Sequence, residues 1–157
     1  MYNKIVFLTR KNYFYKSFNL SDTFTSRIYL IFFHLSFILV ILNKNTNYKE
    51  DSQDIFDFFF KQVEVNLREL GYGDTSVNKN MKNLIKLFYE ILFQCQNWKK
   101  LDNYNKNHLL LKFFENSSNN KILTAKLINY FDKFSIFVED IPLYSLIKGV
   151  FNFAYRG

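Results

Sequence analysis

The chain has 157 residues, a formal net charge of +7 and a hydrophobic share of 48%, which suits one domain with a real core and excludes disorder throughout. With only 4 Gly and 1 Pro it cannot supply the turn residues that a β-sandwich or barrel needs about every 8–12 positions. The composition therefore predicts an all-α, single-domain irregular or orthogonal bundle over residues 1–157, built of five to seven helices.

Val6–Phe18 is expected as a weakly amphipathic first helix with Phe7, Phe14 and Phe18 near one face. Asn19-Leu20-Ser21-Asp22 breaks the pattern, and Ser21 or Asp22 is placed to cap the second helix. Ile28–Leu42 is the most apolar stretch. It is shorter than the roughly 20 residues of a membrane span, so it reads as the most buried helix of the bundle. Asn43–Asn47 is a polar connection.

A third helix is expected over Tyr48–Leu70, with Phe56, Phe59, Phe60, Val63, Leu67 and Leu70 at spacings of three and four. Gly71 is placed as the left-handed residue after it, and Asp74 or Ser76 as a cap for the next helix. That fourth helix, Val77 to Lys100, carries an apolar face from Val77 through Met81, Ile85 and Phe88 to Cys95. Lys79, Lys82 and Lys86 fall on a different face. His108–Glu115 reads as a short helix and Asn116–Asn120 as a loop. Leu123, Leu127, Phe131, Phe134 and Val138 mark another amphipathic helix. Asp140 and Pro142 read as N-cap and first-turn proline of a last one carrying Leu143, Leu146, Ile147, Val150 and Phe151.

Candidates for chemistry are few. Cys95 is the single cysteine, so no intramolecular disulfide and no cysteine-based metal site can form. There is no HExxH, glycine-rich phosphate loop or nucleophile elbow. His34 lies in the apolar helix with no acidic residue within seven positions on either side, which reads as a buried, hydrogen-bonded histidine. Asp132, Glu139 and Asp140 cluster late in the chain and are explained by capping of helix ends. No metal, cofactor or catalytic residue is expected, and the chain reads as a non-enzyme. The 20 Phe and 11 Tyr share AT-rich codons with the plentiful Lys, Asn and Ile. Codon bias explains them before an apolar client or membrane does.

The densest motif is Leu67-Arg68-Glu69-Leu70-Gly71-Tyr72-Gly73-Asp74-Thr75-Ser76-Val77: a helix stop, a tight turn and a helix start, with two of the four glycines inside it. By itself it reads as a helix–helix connection. Followed by Lys79, Met81, Lys82, Phe88 and Tyr89, it resembles the hallmark of the ubiquinol–cytochrome c chaperone family. A second block, Tyr15, Asp22, Thr23, Arg27, His34 and Leu35, is similar to that family in order and spacing. The resemblance covers about Tyr15 to Phe93. It departs at Asn43, where the family usually has Arg, and in Phe- and Asn-rich helices where the family has Ala.

The resemblance implies a non-catalytic assembly chaperone for respiratory complex III, without cofactor, that binds newly made cytochrome b or another complex III subunit. It leaves ribosome contact and peripheral membrane contact open and implies no DNA. It further implies a bacterial cytoplasmic location near the inner membrane or, alternatively, the matrix side of the mitochondrial inner membrane. The alternative function is a basic helical RNA- or ribosome-binding module without a respiratory role. Arg68, Glu69, Asp74, Lys79, Lys82 and Lys86 are the expected partner-binding edge; Asp22, Arg27, His34, Gly71 and Gly73 are the expected structural motif.

Overall fold

The computed structural model describes residues 1–114 and 120–157. Seven α-helices dominate it, with no strand among the described residues: α1 (Tyr2–Thr9), α2 (Phe24–Asn43), α3 (Lys49–Glu69), α4 (Asp74–Gln96), α5 (Asn103–Phe114), α6 (Asn120–Asp140) and α7 (Leu143–Lys148). The all-α expectation and the number of helices hold.

Helix α2 is the axis of the fold. The Thr23 hydroxyl accepts the Ser26 N–H at 3.1 Å and caps its start, one residue past the expected Ser21 or Asp22. Every side of the helix is apolar, so the other six helices find a face to cover, α4 most extensively. Phe32, Phe33, Leu35, Ile38 and Leu42 are all buried, each worth about 1.5–3 kcal/mol on burial. By length and composition α2 could cross a membrane, with a mean hydropathy of 1.9, but 67% of that window is already buried inside the protein.

Helices α3 and α4 follow the expected amphipathic pattern. Phe56 and Phe60 of α3 pack on Phe88 of α4 at ring separations of 5.5 and 5.4 Å. Leu70 leaves the stripe: the helix has ended, and its side chain is 57% exposed. On α6, Leu123, Leu127, Phe131, Phe134 and Val138 are all buried. Phe131 stacks on Phe33 at 5.0 Å, and Phe37 lies 5.8 Å away.

Several boundaries differ from expectation for local reasons. The first helix stops at Thr9, and a π-helical turn, Tyr13–Ser17, replaces the rest. The Thr9 hydroxyl donates back to the Val6 carbonyl, and the Tyr15 hydroxyl donates to the Thr9 carbonyl at 2.7 Å, so side chains take over the helix end. Helix α4 begins at Asp74, three residues early, with Gly73 as its N-cap. It ends at Gln96, and a 3₁₀ turn, Trp98–Lys100, comes after it.

Helix α5 begins five residues early because Asp102 Oδ1 accepts the Asn105 N–H at 2.8 Å. The expected end of that helix at Glu115 and the loop over 116–119 lie outside the described residues, whereas Asn120 belongs to α6. Pro142 itself, not Asp140, is the N-cap of α7, and Asp140 ends α6. Gly149 closes α7 in a left-handed conformation, which leaves Val150 exposed while Phe151 and Phe153 fold back into the core.

Candidate partner-binding surface

The second motif block builds a sharp corner. Gly71 takes φ 90°. Its N–H bonds the Arg68 carbonyl at 3.0 Å, and the Tyr72 N–H bonds the Leu67 carbonyl at 3.3 Å. This is the double closure of a helix end through a left-handed residue. Gly73 is different: at φ −72° and ψ 165° it is ordinary extended backbone, and an added Cβ would meet nothing within 4 Å. The demanding geometry expected at both glycines belongs to Gly71 alone.

The corner brings Arg68 beside Asp74, and the two form an ion pair. Arg68 also donates to Glu64 Oε1 at 3.1 and 3.2 Å. The bonds from Arg68 hold the Glu64 carboxyl below its usual range, and the bond with Asp74, followed by those with Glu64, raises the Arg68 guanidinium. Asp74 therefore acts as a clamp on Arg68 inside the first turn of α4, not as the expected side-chain cap; Ser76 also lies within the helix.

Beyond the corner, Lys79, Lys82 and Lys86 are exposed on α4. None of the three is ion-paired to another described residue. The opposite face carries Val77, Phe88, Ile91 and Cys95 into the core, so the expected division of the helix into apolar and basic faces holds. Burial pushes the Cys95 thiol up, which keeps it unreactive.

The first motif block divides in two. Asp22 and Arg27 form a bidentate surface pair, with bonds of 2.6 and 2.9 Å. Those bonds pull the Asp22 carboxyl below its usual range. His34 instead lies fully buried. Its Nδ1 sits 2.6 Å from the Leu30 carbonyl and its Nε2 2.7 Å from the Tyr130 hydroxyl. A carbonyl can only accept, so Nδ1 carries the proton and Nε2 accepts from the Tyr130 O–H. Desolvation lowers the ring to about 4, opposed by the bond to Leu30. The ring is neutral, fully satisfied and closed to solvent.

The structure adds a feature that the sequence did not announce. A groove of about 260 Å³ runs between α1, the start of α2 and the end of α3. Arg27 of the first block and Glu69 of the second both line it, with Val6, Phe24, Ile31 and Leu70 as apolar wall. Of the expected edge, Arg68 at the end of α3 pairs with Asp74 at the start of α4 and the lysines continue along α4, while Glu69 faces this groove. Leu70 continues the three-and-four spacing of α3, so no sequence signal set it apart as part of the groove wall.

The late acidic residues are also not caps. Asp132 Oδ1 accepts the Trp98 indole N–H at 2.7 Å and the buried Lys106 ammonium at 2.8 Å. Glu139 pairs with Lys99 and Lys44. Among the described residues, no group of three or more His, Cys, Asp or Glu is placed to hold a metal ion.

A solved crystal structure, that of the Cbp3 homolog from Brucella abortus, is similar with a TM-score of 0.83. It is 26% identical, over 98% of this chain and 86% of that one. A comparison with curated protein sequences gave no match. The fold is an all-helical bundle built about one apolar helix. The model of the ubiquinol–cytochrome c chaperone family matches residues 16–120, about two thirds of the chain, and the chain belongs to that family. The resemblance read from the two blocks is confirmed, and the match extends past Phe93, the limit read from the sequence.

Proposed function

We propose that this protein is a complex III assembly chaperone, one domain over residues 1–157, that binds newly made cytochrome b without catalysing a reaction. The observation that carries this reading is the meeting of the two family-like blocks. Arg27 and Glu69 line one apolar groove, and the Arg68–Asp74 corner leads from it to the row Lys79, Lys82, Lys86. An apolar trough with a polar, mainly basic rim suits a client that is itself apolar with charged ends. The work belongs at the cytoplasmic face of a bacterial inner membrane, or at the equivalent matrix face in a mitochondrion.

The test is co-purification from native cells, comparing the parent with a Lys79/Lys82/Lys86→Glu variant. The parent is expected to recover cytochrome b. The variant is expected to fold normally, because changes at solvated surface positions usually cost within about 0.5 kcal/mol each, and to recover much less. Recovery of ribosomes without any complex III subunit would instead favour direct ribosome binding, the reading that the net charge of +7 supports. Equal recovery of cytochrome b by both proteins removes the lysine row from the site.

A further inference from the structure

The lysine row does not end at Lys86. Tyr89 and Phe93 continue it, so that positions 79, 82, 86, 89 and 93 step by three, four, three and four along α4. That alternation averages 3.5 residues, the seam on which one helix packs along another. At about 1.5 Å per residue the seam is ~21 Å long, four turns. Its first half carries three ammonium groups with no ion-pair partner among the described residues. Its second half carries two large side chains that are more than half exposed, Tyr89 at 53%, with its ring 5.7 Å from that of Phe56, and Phe93 at 62%.

The only carboxylates of α4 are Asp74 and Glu90, and both are engaged, by Arg68 and Lys112. Nothing on this helix neutralises the lysines. Beside Tyr89 lies a groove of about 370 Å³ lined by Phe56, Leu92 and Leu39 together with polar residues of the α2–α3 connection and the start of α3, Lys49 among them. In its lining the Ser52 hydroxyl donates to Asn43 Oδ1 at 2.7 Å, which ties the α2–α3 connection down. The groove is large enough to seat an aliphatic side chain.

We infer that the outer face of α4 is a docking seam for one partner helix of about four turns, acidic along the half that meets Lys79–Lys86 and aliphatic along the half that meets Tyr89 and Phe93. Charge selects the first half and the exposed aromatic pair selects the second. A helix lying on a lipid surface distributes its lysines around an apolar stripe; here they precede the apolar residues along the axis, which matches a helix read end to end. The inference rests on the chaperone reading only in taking the lysine row as a binding edge, and it adds the chemistry of what binds there.

The probes are two synthetic helical peptides of four turns and equal helicity. One has Glu then Leu at the seam positions, and the other has Lys in place of Glu. Binding to the full chain is read by fluorescence anisotropy. The Glu–Leu peptide is expected to bind saturably, about tenfold or more tighter than the Lys–Leu peptide, and to weaken as salt is added. The Lys79/Lys82/Lys86→Glu variant is expected to reverse the preference between peptides. Phe93→Asp, with an unchanged melting curve, is expected to weaken the Glu–Leu peptide.

Equal binding of both peptides, or a preference that the charge-reversed variant does not reverse, overturns the proposal. So does parent self-association in sedimentation that Phe93→Asp abolishes, which would make a second copy the occupant. Binding of the parent to phosphatidylglycerol vesicles that Phe93→Asp abolishes, with no peptide bound, likewise overturns it in favour of lipid. If the peptides fail while cytochrome b still co-purifies from cells, the chaperone reading stands and the seam alone is wrong.

Discussion

Around His34 every polar atom of the ring is closed off from water, whereas along the edge of α3 and α4 charge is left open to it. The centre holds one neutral histidine between the Leu30 carbonyl and the Tyr130 hydroxyl, packed edge-on against Phe134 at 4.7 Å. The edge holds the Arg68 pairs, all at partly exposed side chains, and three lysines with no described partner. Buried polar groups are costly to leave unpaired, and exposed ones are not. Each of the two blocks that resemble the family therefore supplies residues of both kinds. His34 and Gly71 fix the shape, while Arg27, Arg68 and the lysines stay at the surface.

His34→Ala is expected to cost the most, about 3–4 kcal/mol. The substitution opens a cavity inside α2 and leaves the Tyr130 hydroxyl without its acceptor. Chemical denaturation of the purified variant measures this directly. A variant that unfolds like the parent and yet fails to capture cytochrome b would break the contrast, because the centre would then be functional.

Acid tests the same site without a mutation. The His34 ring is held at about 4 in the fold against 6.5 when free of it. Between those values the unfolded chain binds a proton that the folded chain refuses. This contribution to stability is fully present above about pH 6.5 and is lost as pH falls toward about 4, by roughly 3 kcal/mol in all. Urea unfolding across that window should show the slope, and His34→Gln should flatten it. A slope unchanged in the Gln variant assigns the effect to other groups.

The centre was legible in the sequence to the extent that it is local. The run Ile28–Leu42 and the three-and-four spacings of α3 and α6 declare their buried faces, because burial on a helix repeats with its turn. The partner of His34 was not legible: Tyr130 lies 96 positions away, and no pattern in either helix names the other. Helix ends failed for a related reason. Asp74 looks like a cap and instead holds Arg68, while Asp102, which no spacing singles out, is the one that caps α5. Of the proposed surface, the lysine row was readable as a face. The apolar groove was not, since α1, α2 and α3 each contribute only part of it.

Gly71→Val sharpens the comparison at the corner. An added Cβ would meet no neighbour within 4 Å, yet φ 90° disfavours any side chain. The expected loss is therefore backbone strain alone, about 1–2 kcal/mol. Gly73→Ala, two residues on, is expected to be nearly silent, because its φ of −72° is ordinary. Equal losses at both positions in thermal melts would show that the whole turn is constrained, not its left-handed residue.

The smallest effect should have the opposite sign. Ser36 is fully buried in α2, and among the described residues its hydroxyl is the one buried side-chain oxygen or nitrogen without a hydrogen-bond partner. Desolvating a hydroxyl that gains no bond costs about 1–3 kcal/mol. Removing it leaves a space no larger than a single oxygen, too small to cancel much of that gain. Ser36→Ala is expected to raise stability by about 1 kcal/mol, measured as a higher denaturant midpoint with an unchanged slope, and to leave cytochrome b capture untouched. His34 and Ser36 stand two positions apart on one helix. If replacing Ser36 destabilises the fold as replacing His34 should, the hydroxyl is bonded in solution and the centre contains a second closed polar site. If it stabilises, His34 with Tyr130 is the polar contact that organises the centre.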